Sequence, residues 1–245
     1  MIVLLMGAGA GSRFPKSRVP KPFVRVDDRM MYEYVANKNG MFGRTDTYFV
    51  TQTAFAKYDA FEHKTRPSHY FSEDTIFVPD LVAAGPAWSA VAASLRFDDH
   101  EPLLLVDSDC FVEMNKEDHY LMKSVENQDF KLTTEVVVYS TISTEDMSGV
   151  AQVDIDPDDA HITIKEGGVK KGELINVGAY WFRSLREFRN RVFGMQQEHS
   201  TEKELKISDV VNGFEKVKGL ILNGKFVNLG SEELLAAYRK EKNYG

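Results

Sequence analysis

The chain has 245 residues, 43% hydrophobic and 27% charged, with a formal net charge of −7. That length and composition describe a folded protein with one large domain or two small ones. The acidic balance, without a basic tail or stripe, argues against nucleic-acid binding, and the single cysteine, Cys110, excludes an intrachain disulfide framework and is compatible with a reducing, cytoplasmic setting.

The chain opens on an apolar run, MIVLLM, over residues 1–6. It is too short to span a membrane and lacks a basic region and cleavage site, so no membrane partner is expected. Apolar residues without alternation predict a strand buried on both faces. The run breaks into Gly7-Ala8-Gly9-Ala10-Gly11-Ser12-Arg13, and a loop with Pro15, Lys16, Pro20, Lys21 and Pro22 follows. Alternate glycines let the backbone approach a ligand, and successive N–H groups make a concave anion site. Arg13 adds a planar fork that matches phosphate oxygens, and Lys21 is a cation held between two prolines. Two common loops do not fit. The sixth position of a G-x-G-x-x-G counted from Gly7 is Ser12, and counted from Gly9 it is Phe14; a P-loop needs Lys and Ser/Thr where Ser12 and Arg13 stand.

Further along, a helix is predicted over 30–38, a strand over 47–51, and a helix capped by Thr53 running to about His63. A short strand at 75–78 ends at Pro79, and Pro86 suits the first turn of a helix to about Arg96. A buried strand at 102–106, a helix at 116–126 and a strand at 133–139 follow. This order predicts an α/β fold: a mostly parallel, Rossmann-like sheet with helices on both faces. Strand-like segments at 150–155, 161–165 and 174–183 then read as a smaller antiparallel insertion on the acceptor side. Helices are predicted at 185–193 and 206–214, an Asn223-Gly224 hairpin of type I′ between 220–222 and 225–227, and a last helix capped by Ser231. With no repeat or linker, one domain over 1–245 is expected, with a first part to about 140 and a second part after it.

Asp107 and Asp109 close the apolar run LLLVDSD, where an open parallel sheet binds ligands. Two hard carboxylates suit Mg²⁺, although i, i+2 spacing predicts that only one is a direct ligand. A glycine-rich phosphate loop plus a strand-end carboxylate describes a nucleotide–Mg²⁺ site. At this point the chain resembles the nucleotidyltransferase (pyrophosphorylase) superfamily that activates sugar 1-phosphates and related acceptors. GAGAGSRF with PKPF is similar to that family's signature, and the resemblance implies Arg13 and Lys21 as catalytic cations, with Asp109 as metal ligand and Asp107 beside it. Gly85-Pro86-Ala87-Trp88-Ser89-Ala90 resembles the helix start beside the base. Ser148-Gly149-Val150, Lys165-Glu166, Asn176-Val177-Gly178-Ala179-Tyr180 and Ile207-Ser208-Asp209-Val210 resemble later motifs in the family's order. Phe226-Val227-Asn228-Leu229-Gly230-Ser231 resembles W-x-D-x-G-T and implies Asn228 as second metal ligand.

The resemblance thus implies a nucleotide site of Met6, Gly7, Ala8, Gly9, Ala10, Gly11, Ser12, Arg13, Asp80, Gly85 and Asp107, and an acceptor site of Gly149, Glu166, Asn176 and Val177. It implies Mg²⁺ as cofactor, an NTP and a phosphorylated small molecule as substrates, and a place in nucleotide-sugar or capsule-type biosynthesis. Departures stand at Asp80, where the family often has a base-reading Gln, at Gly167-Gly168 after Glu166, and at Asn228 in place of Asp. A non-sugar acceptor such as phosphocholine or phosphoglutamine, and a glycosyltransferase using Asp107-Ser108-Asp109 as its D-x-D, are the alternatives.

Other features read as structural. The acidic stretch from Asp154 has Asp159 and Lys165 where a calcium loop needs Gly and Glu. The six histidines lack zinc spacing, and Cys110 reads as buried filler. Trp181 reads as core more firmly than Trp88. The run Arg183, Arg186, Arg189, Arg191 reads as a solvated helix face or an oligomer contact.

Overall fold

The computed structural model describes residues 1–9, 14, 19–40, 46–56, 75–79, 84–125, 134–156, 161–198 and 204–243. Strand β1 (Ile2–Met6) is central, and it pairs in parallel with β4 (Thr47–Gln52) on one side and β6 (Leu103–Asp107) on the other. β5 (Thr75–Val78) extends the sheet in parallel beyond β4. On the opposite edge β11 (Leu174–Phe182) runs antiparallel to β6. Its other edge takes β8 (Val136–Ile142), to which β12 (Val217–Leu222) adds in parallel. Of the three segments expected as an antiparallel insertion, 174–183 is thus β11 inside the central sheet, while β9 (Ala151–Ile155) and β10 (Ile162–Glu166) form an antiparallel pair that joins the same sheet where Gln152 meets Ile175.

Side chains of β1 divide between two cores, as the pleat requires. Val3 and Leu5 face one cluster with Phe49, Leu104, Val106 and Trp181, while Ile2 and Leu4 face another with Val50, Leu103, Leu105 and Phe182. The first face is covered by α1 (Met31–Lys38), α3 (Lys116–Ser124) and α6 (Glu232–Asn243). The second is covered by α2 (Pro86–Ser94), α4 (Leu185–Glu198) and α5 (Ile207–Asn212). Coverage of both faces is why the strands read as unbroken apolar runs.

Four short strands, in two pairs, complete the described fold. β2 (Arg25–Val26) and β3 (Arg29–Met30) form a small hairpin, with Asp27 in the left-handed region at φ 57°. β7 (Cys110–Glu113) follows β6 after a two-residue bend and pairs antiparallel with β13 (Lys225–Asn228).

Four expectations need correction. The Asn223-Gly224 hairpin does not form: β12 belongs to the central sheet and β13 to the β7 pair. Neither residue has the positive φ that a type I′ turn needs. Gly224 serves close approach instead, because a Cβ there would strike the Glu113 carbonyl and the Val112 side chain. The turn is tied from outside, with Asn223 N–H donating to Asp118 at 2.8 Å and the Thr141 hydroxyl to the Gly224 carbonyl at 2.8 Å. Second, Thr53 does not cap the helix expected from it: Thr53–Phe55 is a 3-10 turn, Ala56 is helical, and the rest of the expected helix, to about His63, lies outside the described residues. The Thr53 hydroxyl donates to the Val78 carbonyl at 3.1 Å rather than capping. Third, the strand expected at 133–139 is shifted to Val136–Ile142. Fourth, Arg189 is not a solvated residue. It is 9% exposed and donates to Asp99, to the Ser94 carbonyl and hydroxyl and to the Phe97 carbonyl, tying α4 to the end of α2. Ser231 does cap α6, accepting the Leu234 N–H at 3.2 Å.

Candidate active site

The site forms at the C-terminal ends of β1 and β6. Gly7 prolongs β1 by donating to the Val50 carbonyl at 2.8 Å, and a Cβ on it would collide with the Phe49 ring. Gln52 donates to the Ala8 carbonyl at 2.6 Å and Ser108 to the Met6 carbonyl at 2.8 Å, fixing the start of the loop from both neighbouring strands. Ala10, Gly11, Ser12 and Arg13, together with Asp80, lie outside the described residues.

Lys21 starts a 3-10 turn, Lys21–Phe23, between Pro20 and Pro22. Phe23 anchors that turn, buried edge-on against Tyr32 and Phe49 at 5.9 and 6.0 Å. Lys21 Nζ is thereby delivered to Asp109 Oδ2 at 2.6 Å. The bend at residues 108–109 between β6 and β7 changes the outcome of the i, i+2 spacing. Asp107, Asp109 and Cys110 offer atoms that all lie within 4.8 Å of one another, so both carboxylates converge. Cys110 is buried and its thiol donates to the Val177 carbonyl at 3.4 Å.

Two cavities meet at the paired aspartates. The first is lined by Met6, Gly7, Ala8, Gly9, Lys21 and Gly85, with Pro86, Ser89, Ser108 and Glu204. The second is lined by Gly149, Glu166, Asn176 and Asn228, with Gly178, Tyr180 and Phe226. Asp107 and Asp109 line both. Gly85 has φ 97°, and a Cβ there would strike the Leu205 backbone; Ala87 N–H donates to the Leu205 carbonyl at 3.3 Å. Thus the segment before α5 closes the first cavity and brings Glu204 to it. Glu166 pairs with Lys206 of that segment at 3.1 Å and accepts from the Ser208 hydroxyl of α5 at 3.0 Å.

Of the residues expected at the acceptor, Val177 is set apart. Its side chain sits in the core with Trp181 and Val227, and it lines neither cavity. Asn176 is buried at 6% exposure with its amide engaged inside β11. Burial pushes the Tyr180 hydroxyl well above its ordinary pKa and the nearby Asp107 charge adds to this, while the hydrogen bond from Asn176 opposes it. Glu204 and Phe226 were not expected at the site. Phe226 stood inside a quoted motif, whereas nothing local to Glu204 announces it, because the Gly85–Leu205 contact alone brings it there.

The donor set fits a magnesium ion. Asp107 and Asp109 supply hard carboxylate oxygens, and the soft, buried Cys110 sulfur is turned to a carbonyl. Asn228 is paired in register with Cys110, and the Leu229 N–H donates to the Asp109 carbonyl at 2.7 Å, bringing β13 to the same point. Its Oδ1 accepts the Gly230 N–H at 2.7 Å and keeps a second lone pair.

No family model and no curated protein matches the chain. Solved structures do. HddC from Yersinia pseudotuberculosis is 15% identical, covers 99% of each chain and superposes with a TM-score of 0.70. The inositol-1-phosphate CTP transferase from T. maritima is 15% identical over 97% of this chain and 96% of its own, with a TM-score of 0.66. LicC, the CTP:phosphocholine cytidylyltransferase of Streptococcus pneumoniae, is 14% identical over 99% and 98%, with a TM-score of 0.66. At these identities the likeness is one of fold, and the chain has the fold of these nucleotidyltransferases across nearly its whole length.

Proposed function

We propose that the chain is a Mg²⁺-dependent nucleotidyltransferase that joins an NTP to a phosphorylated small molecule, a sugar 1-phosphate by preference, giving an NDP-activated product and pyrophosphate. The observation that carries this reading is the sharing of Asp107 and Asp109 by a glycine-loop cavity and a second, polar cavity. Two substrates in those cavities would meet at one pair of carboxylates. The fold shared with known nucleotidyltransferases supports it.

An acceptor phosphate oxygen attacks the α-phosphorus in line, the bond to the bridging oxygen breaks, and pyrophosphate leaves. Such transfer is mostly positioning and charge neutralisation. Lys21, fixed by its 3-10 turn, neutralises the α-phosphate or the acceptor phosphate. The N–H groups of the glycine loop and Arg13 stabilise the departing pyrophosphate. Asp109, with Asp107 and Asn228, would hold a magnesium ion, which would supply positive charge to neutralise phosphate oxygens. No general base is needed, because the attacking phosphate is already an anion near neutral pH.

A second reading keeps the chemistry and changes the acceptor to a phosphorylated amine such as phosphocholine, with CTP as donor. Asp107, Asp109, Glu166, Tyr180 and Phe226 around the second cavity would suit a cationic group. Glu166 is already neutralised by Lys206, which favours the uncharged sugar. Among the described residues no helix is long and apolar enough to cross a membrane.

The test is a matrix of the four NTPs against sugar 1-phosphates, phosphocholine and related phosphates, read by pyrophosphate release. Release with one base and one acceptor class is expected, and Asp109→Ala should lower it on the order of 10²–10³-fold. Sugar transfer from a finished NDP-sugar, without pyrophosphate release from any NTP, would instead make Asp107-Ser108-Asp109 the D-x-D of a glycosyltransferase.

A further inference from the structure

β11 slips its register against β8 between Asn176 and Tyr180, and Gly178 at the centre of that bulge has φ 70°. One side chain closes the bulge. Asn176 Oδ1 accepts the Gly178 N–H at 3.0 Å, and Asn176 Nδ2 donates to the Tyr180 hydroxyl at 2.6 Å. The Gly178 donor settles which end of the amide is oxygen, since the reverse would set two donors face to face. Asn176 and Tyr180 are each 6% exposed, so both bonds are shielded from water.

The bulge has two consequences at the site. Gly178 lies flat against Asp107, where any Cβ would strike its carboxylate, so the bulged backbone is a wall for that side chain. The Tyr180 hydroxyl has accepted from Asn176 and keeps its own proton to donate, and Tyr180 lines the second cavity beside Asp107.

We propose that Asn176 is a positioning residue rather than an acceptor ligand: it holds the β11 bulge against the Asp107 carboxylate and turns the Tyr180 hydroxyl proton toward the acceptor cavity. A tyrosine hydroxyl is protonated throughout the neutral range, so it is a donor there. The kinetic consequence rests on the nucleotidyltransfer reading; the hydrogen bonds do not.

The test compares Asn176→Ala, Asn176→Asp and Tyr180→Phe with the wild-type chain. Amide hydrogen exchange at Gly178 reports the clamp, Mn²⁺ affinity in the presence of a non-hydrolysable NTP reports the carboxylates, and steady-state kinetics report the acceptor. In Asn176→Ala the Gly178 amide should exchange about tenfold faster or more. Mn²⁺ affinity should fall on the order of tenfold, as on loss of a group that orients metal ligands. The acceptor KM should move less than about threefold while kcat falls. Asn176→Asp keeps an oxygen for Gly178 and restores slow exchange. Its carboxylate accepts the hydrogen bond that the Tyr180 hydroxyl would otherwise donate into the cavity, so its kcat should fall to that of Tyr180→Phe. A tenfold rise in acceptor KM with Gly178 exchange and Mn²⁺ affinity unchanged would make Asn176 a direct ligand and overturn the proposal. Unchanged Gly178 exchange in Asn176→Ala would overturn it by itself, even for a chain that released no pyrophosphate from any substrate pair. That last result, with fast exchange in the variant, would strike the enzymatic reading and leave the clamp standing.

Discussion

Replacing Lys21 by methionine removes one charge and little volume at the point where the two cavities meet. The Lys21 and Asp109 side chains are 16% and 15% exposed, and the pair spans 2.6 Å. Exposed pairs contribute about 0.2–1 kcal/mol, whereas removing one partner of a fully buried pair costs about 3–5 kcal/mol. A pair this far from bulk water, but still in touch with it, falls between, at about 2 kcal/mol. Asp107 adds to the cost, because its carboxylate lies within 4.8 Å of the one that loses Lys21. In a chain of this length about 2 kcal/mol corresponds to a Tm lower by roughly 4–8 °C.

The assay is thermal unfolding in EDTA of the wild type, Lys21→Met, Asp109→Asn and the double variant. Removing the carboxylate as well should recover part of what Lys21→Met loses, giving a coupling near 2 kcal/mol. Single effects that add to within about 0.5 kcal/mol would refute an energetic pair at this point. Below its Tm, Lys21→Met should remain folded yet turn over about 10²–10³-fold more slowly, as expected for a lost charge at a developing anion. Wild-type turnover in that variant would remove Lys21 from the chemistry, whatever the stability cycle gave.

Gly85→Ala forces a side chain into φ 97° and against the Leu205 backbone, so it should cost about 1–3 kcal/mol in urea unfolding and raise the NTP KM by shifting Glu204. Arg189→Met strips the donors from the Ser94 and Phe97 carbonyls, a loss of about 2–4 kcal/mol discounted for the half-exposed Asp99 partner. Because Arg189 lines neither cavity, kcat measured below the Tm should stay at the wild-type value. Tyr34, Tyr180 and Tyr238 all have hydroxyls raised above the ordinary pKa, chiefly by burial. Above about pH 10 the unfolded chain therefore releases protons that the folded chain keeps, and stability should fall by about 1.4 kcal/mol per pH unit for each group. Denaturant melts between pH 9 and 11 should show this, and Tyr180→Phe should make the slope shallower by one proton.

Features of the sequence that depend on short segments transferred well to the structure. The apolar runs at 2–6 and 103–106 are the central strands, and Asp107 and Asp109 stand at the strand end where a parallel sheet offers a ligand site. Lys21 between prolines did mean a restricted cation, because Pro20 and Pro22 set up the 3-10 turn that points it at Asp109. The acceptor side was less legible. Asn176 and Val177 look alike as members of one motif, yet one ties a bulge and the other fills the core; only the register slip against β8 separates them. Glu204 reaches the first cavity because Leu205 docks on Gly85, a contact between residues 120 positions apart that leaves no local pattern.

The failed hairpin shows why such contacts prevail. Asn-Gly is a strong local turn signal, but it controls pairing only when the two flanking segments have no better partners. Here Val217–Leu222 has a full parallel register with β8, and Lys225–Asn228 has a full antiparallel register with β7. Sending the two strands to different sheets also delivers Asn228 opposite Cys110, one residue past Asp109. A hairpin in its place would leave Asn228 on the edge of the central sheet. This argument predicts that Gly224→Ala, which would press on the Glu113 carbonyl, should act through the β7–β13 pair. Slow amide exchange across β13 should be lost while that of β12 against β8 persists. Equal loss in both strands would mean that β12 and β13 fold as one unit after all, and that the turn, not the separate registers, brings Asn228 to the site.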